Sequence, residues 1–477
     1  MIFVILGLLL MALASAMLPS ALVDAAADNP DWRVFLVAAS FTFFTGTTLY
    51  LTNRSRFAKL SIRGSFILTN LAWIVLSAFG ALPFLFSSTN LDYADAFFEA
   101  ISGLTTTGST ILSHIESLPP GILLWRALLQ WIGGVGIIAM AIVILPILQV
   151  GGMQLFRMES SDRSERAFPQ VRRYTAALVI TYCGLTVCCA LFLRLAGMTG
   201  LEAVVHAMTT LSTGGYSTSD ASIGHFDSLV IHWIVTVFML MGGLPFVIYI
   251  QMVRRGPLVF IRDTQIRGYL AFLGIAISCI ATWLWLKDDF APLRAISEAA
   301  FNVVSVVTTT GYATTDYSRW GTLPFGVFFL LIFVGGCTGS TGGGIKIFRF
   351  QILWSALRHY VWSRIFPHGV HPMTYGGRPV SADVVLGVLV FILTFLMTVA
   401  VTSMILEGLG LDLVTALSGA VTAVANVGPG LGDVIGPAGN FATLPDSAKW
   451  VLSLAMLLGR LEFLTVLVLL VPSFWRG

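Results

Sequence analysis

Four short segments of this sequence combine Thr, Ser, Asn or Val with a closing glycine, residue types that can present backbone oxygens to a cation. The glycines are Gly108, Gly214, Gly311 and Gly428, separated by 106 (214−108), 97 (311−214) and 117 (428−311) residues. Thr and Val favour an extended backbone, and glycine permits the positive φ that turns successive carbonyls the same way. Rings of such oxygens can replace the hydration shell of a K⁺ ion.

The sequence therefore predicts one ion filter to which each segment contributes three residues. These residues are Thr106, Thr107 and Gly108; Ser212, Thr213 and Gly214; Thr309, Thr310 and Gly311; and Asn426, Val427 and Gly428. Because the last segment departs from the Thr pattern, we expect an asymmetric filter.

An acidic residue and a short apolar stretch precede each segment; the acids are Asp95, Glu202, Glu298 and Asp412. Each stretch has about ten residues, which suits a half-membrane re-entrant helix and not a full span. Non-helical backbone survives at membrane depth only where it is buried or lines a wet cavity, so the four loops should converge on one axis. The acids favour the positive end of each helix dipole, so the negative ends should point at the cavity.

A glycine-rich run at 335–344 interrupts another apolar stretch. Each glycine costs a helix about 1 kcal/mol relative to alanine, so we expect a broken span and a mobile intramembrane loop that gates the filter. The predicted gating residues are Gly335, Gly336, Gly339, Gly342, Gly343, Gly344, Lys346 and Arg460. A phosphate-binding loop is the competing interpretation, but Ile345 stands where such a loop needs Lys and no soluble strand precedes it.

Arg460 lies near the centre of the last apolar stretch, two residues before Glu462. A central Arg costs roughly 2.5 to 3.5 kcal/mol on insertion scales, so it should face the pore or a polar partner. An ion pair with Glu462 is the alternative, and both arrangements can coexist.

The elements that must position these residues are membrane spans. The chain has 477 residues, 56% of them hydrophobic and 11% charged, with a mean hydropathy of +0.87, outside the range of soluble domains. Ten stretches are long enough to span: 1–22, 34–51, 65–86, 121–148, 174–195, 229–253, 268–286, 323–348, 383–406 and 449–474. The first resembles a signal peptide at Ala14–Ala16 but has no basic n-region, so we expect a retained helix.

Charge asymmetry predicts the orientation. The connections 52–64, 149–173, 254–267 and 349–382 carry seventeen Lys or Arg residues, whereas the opposite connections carry five. Basic loops face the cytoplasm, so both termini should be cytoplasmic.

Other classes of function lack support in the sequence. A net charge of +3 does not indicate a nucleic-acid partner, and the five cysteines form no CxxC pair, so we expect no metal site or disulfide. No HExxH, GxSxG or DxD motif supports an intramembrane enzyme. His206 and His232 are expected to pack, although a proton-coupled carrier would have to use them.

The wording of several motifs resembles the Trk/Ktr/HKT superfamily of potassium transporters, in particular its bacterial TrkH/TrkG branch. The motifs are LSTGGYSTSDASIGHF at 211–226, SVVTTTGYATTDY at 305–317, GGCTGSTGGGIKIFR at 335–349 and AVANVGPGLG at 423–432. The resemblance covers essentially the whole chain, and two helices before the first repeat also fit the TrkH type.

The resemblance implies an all-α polytopic protein with four pseudo-symmetric membrane-pore-membrane repeats around one pore, after two N-terminal helices at 1–64. The repeats would occupy 65–173, 174–267, 268–382 and 383–477. Glycine at all four filter positions implies K⁺ preference, and Arg460 would contact the gating loop beneath the filter. The expected function is potassium uptake across the bacterial inner membrane; a symporter coupled to H⁺ or Na⁺ is the alternative.

The resemblance also implies partners. They are a second copy of the chain, in a homodimer with one pore per subunit, and a cytoplasmic TrkA-like ring of nucleotide-binding domains. This chain should bind no cofactor, and NAD or ATP is expected only on that regulatory protein. The basic inner loops are plausible docking surfaces, including 349–382 with His359, His368 and His371.

Overall fold

The computed structural model describes residues 1–54, 61–140, 167–287, 290–369 and 371–476. In these ranges the protein is almost entirely helical. The helices are α1 (Ile2–Ala26), α2 (Trp32–Asn53), α3 (Ile62–Gly80), α4 (Leu82–Phe86), α5 (Tyr93–Leu104), α6 (Pro120–Ala139), α7 (Ala167–Leu195), α8 (Gly200–Leu211), α9 (Leu229–Gly242), α10 (Phe246–Arg255), α11 (Leu258–Arg262), α12 (Thr264–Lys287), α13 (Pro292–Val307), α14 (Thr322–Leu331), α15 (Ile347–Ile365), α16 (Ala382–Gly408), α17 (Leu413–Ala425), α18 (Asp446–Arg460), α19 (Leu464–Leu470) and α20 (Pro472–Arg476).

Two pairs of two-residue strands complete the described fold. Strands β1 (Val334–Gly335) and β2 (Ile345–Lys346) pair in parallel, and β3 (Thr374–Tyr375) and β4 (Arg378–Pro379) pair antiparallel. The β1–β2 pair joins the two ends of the glycine-rich run. It thereby closes that run into a loop.

Seven described helices are long and apolar enough to cross a membrane, and bent pairs raise the number to nine. The predicted spans at 1–22, 34–51, 65–86, 174–195, 268–286 and 383–406 each fall on one of them. The span predicted at 121–148 begins with α6, and its last residues, 141–148, lie outside the described residues, as does the basic connection at 149–166.

Three predicted spans are not continuous helices. Helices α9 and α10 meet at 89°, and α18 and α19 meet at 112°. The first break contains Gly243 and Pro245, and the second contains Glu462 and Phe463 with φ of +59° and +50°. Proline removes a backbone hydrogen bond and disfavours the helical conformation of the residue before it, and a positive φ does not fit a right-handed helix, so the chain turns at these points. The third stretch, 323–348, consists of α14, the glycine-rich loop and the start of α15.

Four short helices precede the four glycine-ended segments, as predicted. They are α5, α8, α13 and α17, with 12, 12, 16 and 13 residues. At 1.5 Å per residue these helices are about 18 to 24 Å long, shorter than the roughly 30 Å core of a bilayer.

Acidic residues occupy the helix starts in three of these cases. Asp92 caps α5 with Asp95 in its first turn, Glu202 belongs to the capping box of α8, and Asp412 caps α17. The prediction for Glu298 is wrong, because Pro292 begins α13 and Glu298 lies buried inside it. Pro292 suits the first turn of a helix, where a backbone N–H has no partner in any case.

The N-terminal pair α1 and α2 packs on the rest of the bundle through α6. The Oδ1 atom of Asp24 accepts a hydrogen bond of 2.6 Å from the backbone N–H of Gly121, at the start of α6. A carboxylate at this position satisfies a free N–H at a helix N-terminus.

Candidate functional site

The four glycine-ended segments share one backbone conformation, and we call them L1 (105–109), L2 (212–216), L3 (308–312) and L4 (425–429). Each contains a non-glycine residue in the left-handed region, followed two residues later by a glycine of positive φ. The first residues are Thr106, Thr213, Thr309 and Asn426, with φ of +53°, +51°, +59° and +56°. The glycines are Gly108, Gly215, Gly311 and Gly428.

The second segment is offset by one residue from its predicted register. Gly215, and not Gly214, has the positive φ of the other three glycines. The backbone N–H groups of Gly214 and Thr107 each donate to the carbonyl five residues earlier, at Thr209 and Ser102 respectively. Gly214 is therefore the counterpart of Thr107, and the triplet equivalent to Thr106, Thr107 and Gly108 is Thr213, Gly214 and Gly215. The error arose because either of two adjacent glycines satisfies the sequence pattern.

The loops contact one another in a closed cyclic order. A Cβ atom added to Gly108 would lie within 3 Å of the Gly214 carbonyl oxygen, closer than real Cβ atoms approach. Gly215 has the same relation to the Thr310 oxygen, Gly311 to the Val427 oxygen and Gly428 to the Thr107 oxygen. Each loop thus contacts the next through the same pair of positions, and L4 returns to L1. We call this arrangement the loop ring.

Polar side chains from the short helices bind the residues that follow three of the loops. They stand at one equivalent position, nine residues before the glycine: Glu99 (108−99), His206 (215−206) and Asn302 (311−302). Glu99 accepts hydrogen bonds from Thr110, His206 bonds to Ser217 Oγ at 3.0 Å, and Asn302 donates to Thr314 Oγ1 at 2.8 Å. His206 also bonds to the Glu202 carbonyl at 2.8 Å, which fits the packing role expected for it.

A buried ion pair lies behind L1 and L2. The Nε of Arg126 lies 2.8 Å from Oε1 of Glu99, and both side chains are almost completely buried. The guanidinium also donates to the Ser217 carbonyl at 2.9 Å and lies 4.1 Å from the ring centre of Tyr216. Buried charges need such complete pairing. The central position of Arg126 in an apolar helix could have indicated this role, but its partner 27 residues away could not be read from the sequence.

The glycine-rich loop lies directly against one side of the loop ring. The Gly343 N–H donates to Thr309 Oγ1 at 2.7 Å, and the Gly344 N–H donates to the Ala425 carbonyl at 2.8 Å. On a third side, the hydroxyls of Thr213 and Thr341 are 3.0 Å apart. The loop therefore contacts L2, L3 and L4.

Arg460 reaches the remaining loop. Its Nε donates to the Thr105 carbonyl at 2.6 Å, and its Nη1 donates to the Thr341 carbonyl at 3.2 Å. The alternative ion pair with Glu462 is wrong in this structure, because Glu462 pairs with Arg349. The reversal of the chain after α18 separates the two neighbours in sequence, and Arg460 connects L1 to the glycine-rich loop.

Most of the other predicted gating residues pack closely, whereas a Cβ atom added to Gly339 would meet no atom within 4 Å. Added Cβ atoms would lie within 3 Å of backbone oxygens at Gly335, Gly336, Gly342 and Gly343, while Gly339 and Gly344 have positive φ. The Lys346 ammonium group donates to the Gly342 carbonyl. The loop predicted to be mobile is thus held by hydrogen bonds in this structure.

Apolar spans together with four shorter helices, whose following loops meet in a ring, are typical of membrane transport proteins of the pore-loop class. Residues 33–476 match the family model TrkH, described as a cation transport protein, and the chain belongs to that family.

Several similar proteins align with nearly the whole chain. It is 46% identical over 473 residues to the Trk system potassium uptake protein TrkI of Halomonas elongata, covering 99% of this chain and 96% of the relative. It is 37% identical over 477 residues to TrkH of Escherichia coli K12, covering 99% and 98%. The crystal structure of the potassium transporter TrkH from Vibrio parahaemolyticus matches with a TM-score of 0.92 and 34% identity, covering 100% of this chain and 99% of that one.

These comparisons confirm three predictions. The chain is an all-α multi-pass membrane protein, it belongs to the predicted family, and that family consists of transporters and not enzymes.

Proposed function

We propose that this protein takes up potassium ions through the loop ring. The single observation that carries the proposal is the closed order of contacts between L1, L2, L3 and L4. Such a ring surrounds one axis with backbone carbonyls, the ligand type that replaces the hydration shell of K⁺. Relatives that cover almost the whole chain are named potassium uptake proteins. With the corrected register, the filter residues are Thr106–Gly108, Thr213–Gly215, Thr309–Gly311 and Asn426–Gly428.

The glycine-rich loop and Arg460 form the gate in this proposal. They contact the four loops on one side of the ring, and the positive charge of Arg460 beside Thr105 and Thr106 opposes the passage of a cation. The packed arrangement described above corresponds to the closed state. Opening requires the loop to leave Thr213, Thr309 and Ala425.

The assembly around the pore is part of the same proposal. The two N-terminal helices occupy 1–64, and the four repeats occupy 65–173, 174–267, 268–382 and 383–477. The chain forms a homodimer in the bacterial inner membrane, with both termini in the cytoplasm. A TrkA-like protein that carries NAD or ATP docks on the basic inner surface and controls the gate.

Substitution of Gly311 tests the filter. Purified wild-type protein in liposomes should have a K⁺ flux well above its Na⁺ flux. Gly311→Ser should lose most of that preference, because a side chain there meets the Val427 carbonyl and the φ of +83° disfavours any side chain.

Gly410→Ser is the matched control. Gly410 also has a positive φ, +96°, but an added Cβ would meet no atom within 4 Å. Its selectivity should equal that of the wild type. Unchanged selectivity in a folded Gly311→Ser variant would contradict the assignment of the filter.

The reversal potential decides between a gated pore and a symporter. A passive pore in a planar bilayer reverses at the K⁺ equilibrium potential whatever the H⁺ and Na⁺ gradients are. A reversal potential that moves with either gradient would instead assign coupled transport to this chain.

A further inference from the structure

The second loop of the ring lacks the threonine hydroxyl that L1 and L3 have at the equivalent position. In L1 the hydroxyls of Thr105 and Thr107 are 2.8 Å apart, and in L3 those of Thr308 and Thr310 are 2.7 Å apart. The counterparts in L2 are Ser212 and Gly214, so this loop has a glycine where the others have Thr107, Thr310 and Val427.

Another residue fills the space that this glycine leaves. A Cβ atom added to Gly214 would lie within 3 Å of the amide group of Gln130, which belongs to α6 and is completely buried. Gln130 also lies beside L1, because its Nε2 would be 3.6 Å from a Cβ added to Gly108. The amide thus stands at the contact between L1 and L2.

The two ends of this amide bind two successive peptide units, one on each side of Gly215. The Nε2 of Gln130 donates to the Gly214 carbonyl at 2.6 Å, and its Oε1 accepts from the Tyr216 N–H at 3.1 Å. One orientation of the amide satisfies both bonds, since the nitrogen can only donate and the oxygen can only accept. Gln130 therefore fixes the backbone on both sides of Gly215.

The corresponding residues of two other repeats cannot form such bonds. Three glycines on the second helices approach the ends of the preceding short helices in the same way: Gly133 at Leu104, Gly242 at Leu211 and Gly459 at Val424. The residues three positions before them are Gln130, Met239 and Met456. All three are completely buried, and only the side chain of Gln130 carries a hydrogen-bond donor.

We propose that Gln130 is a positioning residue that determines ion selectivity by holding the Gly214 carbonyl at the L1–L2 contact of the ring. The inference depends on the proposed function, because it assumes that ions pass the loop ring. A carbonyl that accepts an amide N–H is fixed in direction and offers less of its negative charge to a cation. The Gly214 carbonyl therefore differs from the Thr107, Thr310 and Val427 carbonyls, which accept no side-chain hydrogen bond from the described residues.

The first test removes the hydrogen bonds and keeps the volume. Gln130→Met introduces the residue that the second and fourth repeats have, and the K⁺/Na⁺ permeability ratio in liposomes should fall about tenfold, the order expected for one buried hydrogen bond. Gln351→Met is the control, because Gln351 donates to the Thr264 carbonyl and contacts none of L1 to L4. Its ratio should equal that of the wild type.

The second test replaces the Gln130 amide beside residue 214 with the threonine side chain that L1 and L3 have at this position. Gly214→Thr alone should abolish selective flux, because its side chain collides with Gln130. The double variant Gly214→Thr with Gln130→Ala should recover K⁺ selectivity, since Thr at 214 can bond to Ser212 as Thr107 bonds to Thr105. Gly214 has no positive φ, so Thr suits its backbone.

The outcomes separate the two proposals. Suppose that the wild type is selective for K⁺. If the folded Gln130→Met variant then keeps the wild-type K⁺/Na⁺ ratio, or if the double variant is no more selective than Gly214→Thr, the role of Gln130 is overturned and the filter proposal stands. A wild type without K⁺ selectivity would overturn both.

Discussion

At the scale of single residues, the loop ring depends on backbone conformations that most side chains avoid. Thr106, Thr213 and Thr309 each have a φ between +51° and +59°, where a β-branched residue is strained. Such strain costs of order 1–3 kcal/mol per residue and persists only where the surroundings impose it. Here the hydroxyl of each Thr has a partner: Arg460 for Thr106, Thr341 for Thr213 and the Gly343 N–H for Thr309. The strained residues are therefore the ones that the proposed gate contacts.

Arg460 offers a direct test of the gate. Arg460→Gln removes a positive charge and shortens a side chain that donates to L1 and to Thr341. The K⁺ flux into liposomes should rise about tenfold, because hydrogen bonds from a charged donor contribute roughly 1.5 to 3 kcal/mol to the closed state. The K⁺/Na⁺ ratio should change little.

Lys449→Gln is the control for this variant. Lys449 is buried in the same helix but forms its ion pair with Asp95, near the start of α5. Its flux should remain at the wild-type level, and equal flux in the Arg460 variant would count against a barrier at that residue.

The Glu116 carboxyl should make the thermal stability of the protein depend on pH. It lies in the connection between α5 and α6, and a hydrogen bond from Ser219 Oγ lowers the pKa of its carboxyl below the ordinary value of 4.5. A lowered pKa in the folded state means that the contribution to stability is present above pH 4.5 and is lost as the pH falls through the lower value. Glu116→Gln should therefore lose less thermal stability than the wild type between pH 6 and pH 3. An equal fall in melting temperature between pH 6 and pH 3 for the two detergent-solubilised proteins would contradict this.

At the scale of elements, broken helices provide the non-helical backbone that the proposed pore needs. The β1–β2 pair, the 89° bend between α9 and α10 and the 112° bend between α18 and α19 all occur in predicted spans. Backbone that leaves a helix inside a membrane must find other partners. The carbonyls of Gly242 and Gly243, at the first bend, bind the Thr341 hydroxyl and the Cys337 N–H of the glycine-rich loop.

Thr341 tests whether this loop is a gate. Thr341→Val removes a hydroxyl that bonds to Thr213 and to the carbonyls of Leu211 and Gly242 while keeping the shape of the side chain. Loss of one net hydrogen bond of about 1 kcal/mol should raise the flux about fivefold. Single-channel recordings should show longer openings at unchanged conductance.

Thr338→Val is the matched control in the same loop. The hydroxyl of Thr338 is buried and has no hydrogen-bond partner among the described residues. The same chemical change there should leave the openings unchanged. A similar effect of both variants would indicate general loosening of the loop and not the loss of a specific contact.

At the scale of the whole molecule, the charge asymmetry of the sequence predicts one orientation of the chain in the membrane. Asp227, between α8 and α9, should be outside, and His368, after α15, should be inside. In a variant without the five native cysteines, Asp227→Cys should react with a membrane-impermeant thiol reagent on intact cells. His368→Cys should react only after the membrane is opened. The reverse pattern would invert the proposed topology.

The sequence alone predicted the membrane class, six of the continuous spans, the positions of the four short helices, and the four loop segments apart from the register of L2. These features depend on local composition and on repeated short motifs, and both are visible in the sequence itself. It also singled out Arg460, because a central Arg in an apolar stretch is costly wherever the chain goes.

Only the tertiary structure decided which residues meet. The register of L2 depends on whether Gly214 or Gly215 adopts positive φ, and that is set by the approach of the Thr310 carbonyl from another repeat. The partners of Glu462, Arg126 and Gln130 lie 113, 27 and 84 residues away. Such contacts arise from the packing of distant segments around one axis, and this information does not exist in any local stretch of sequence.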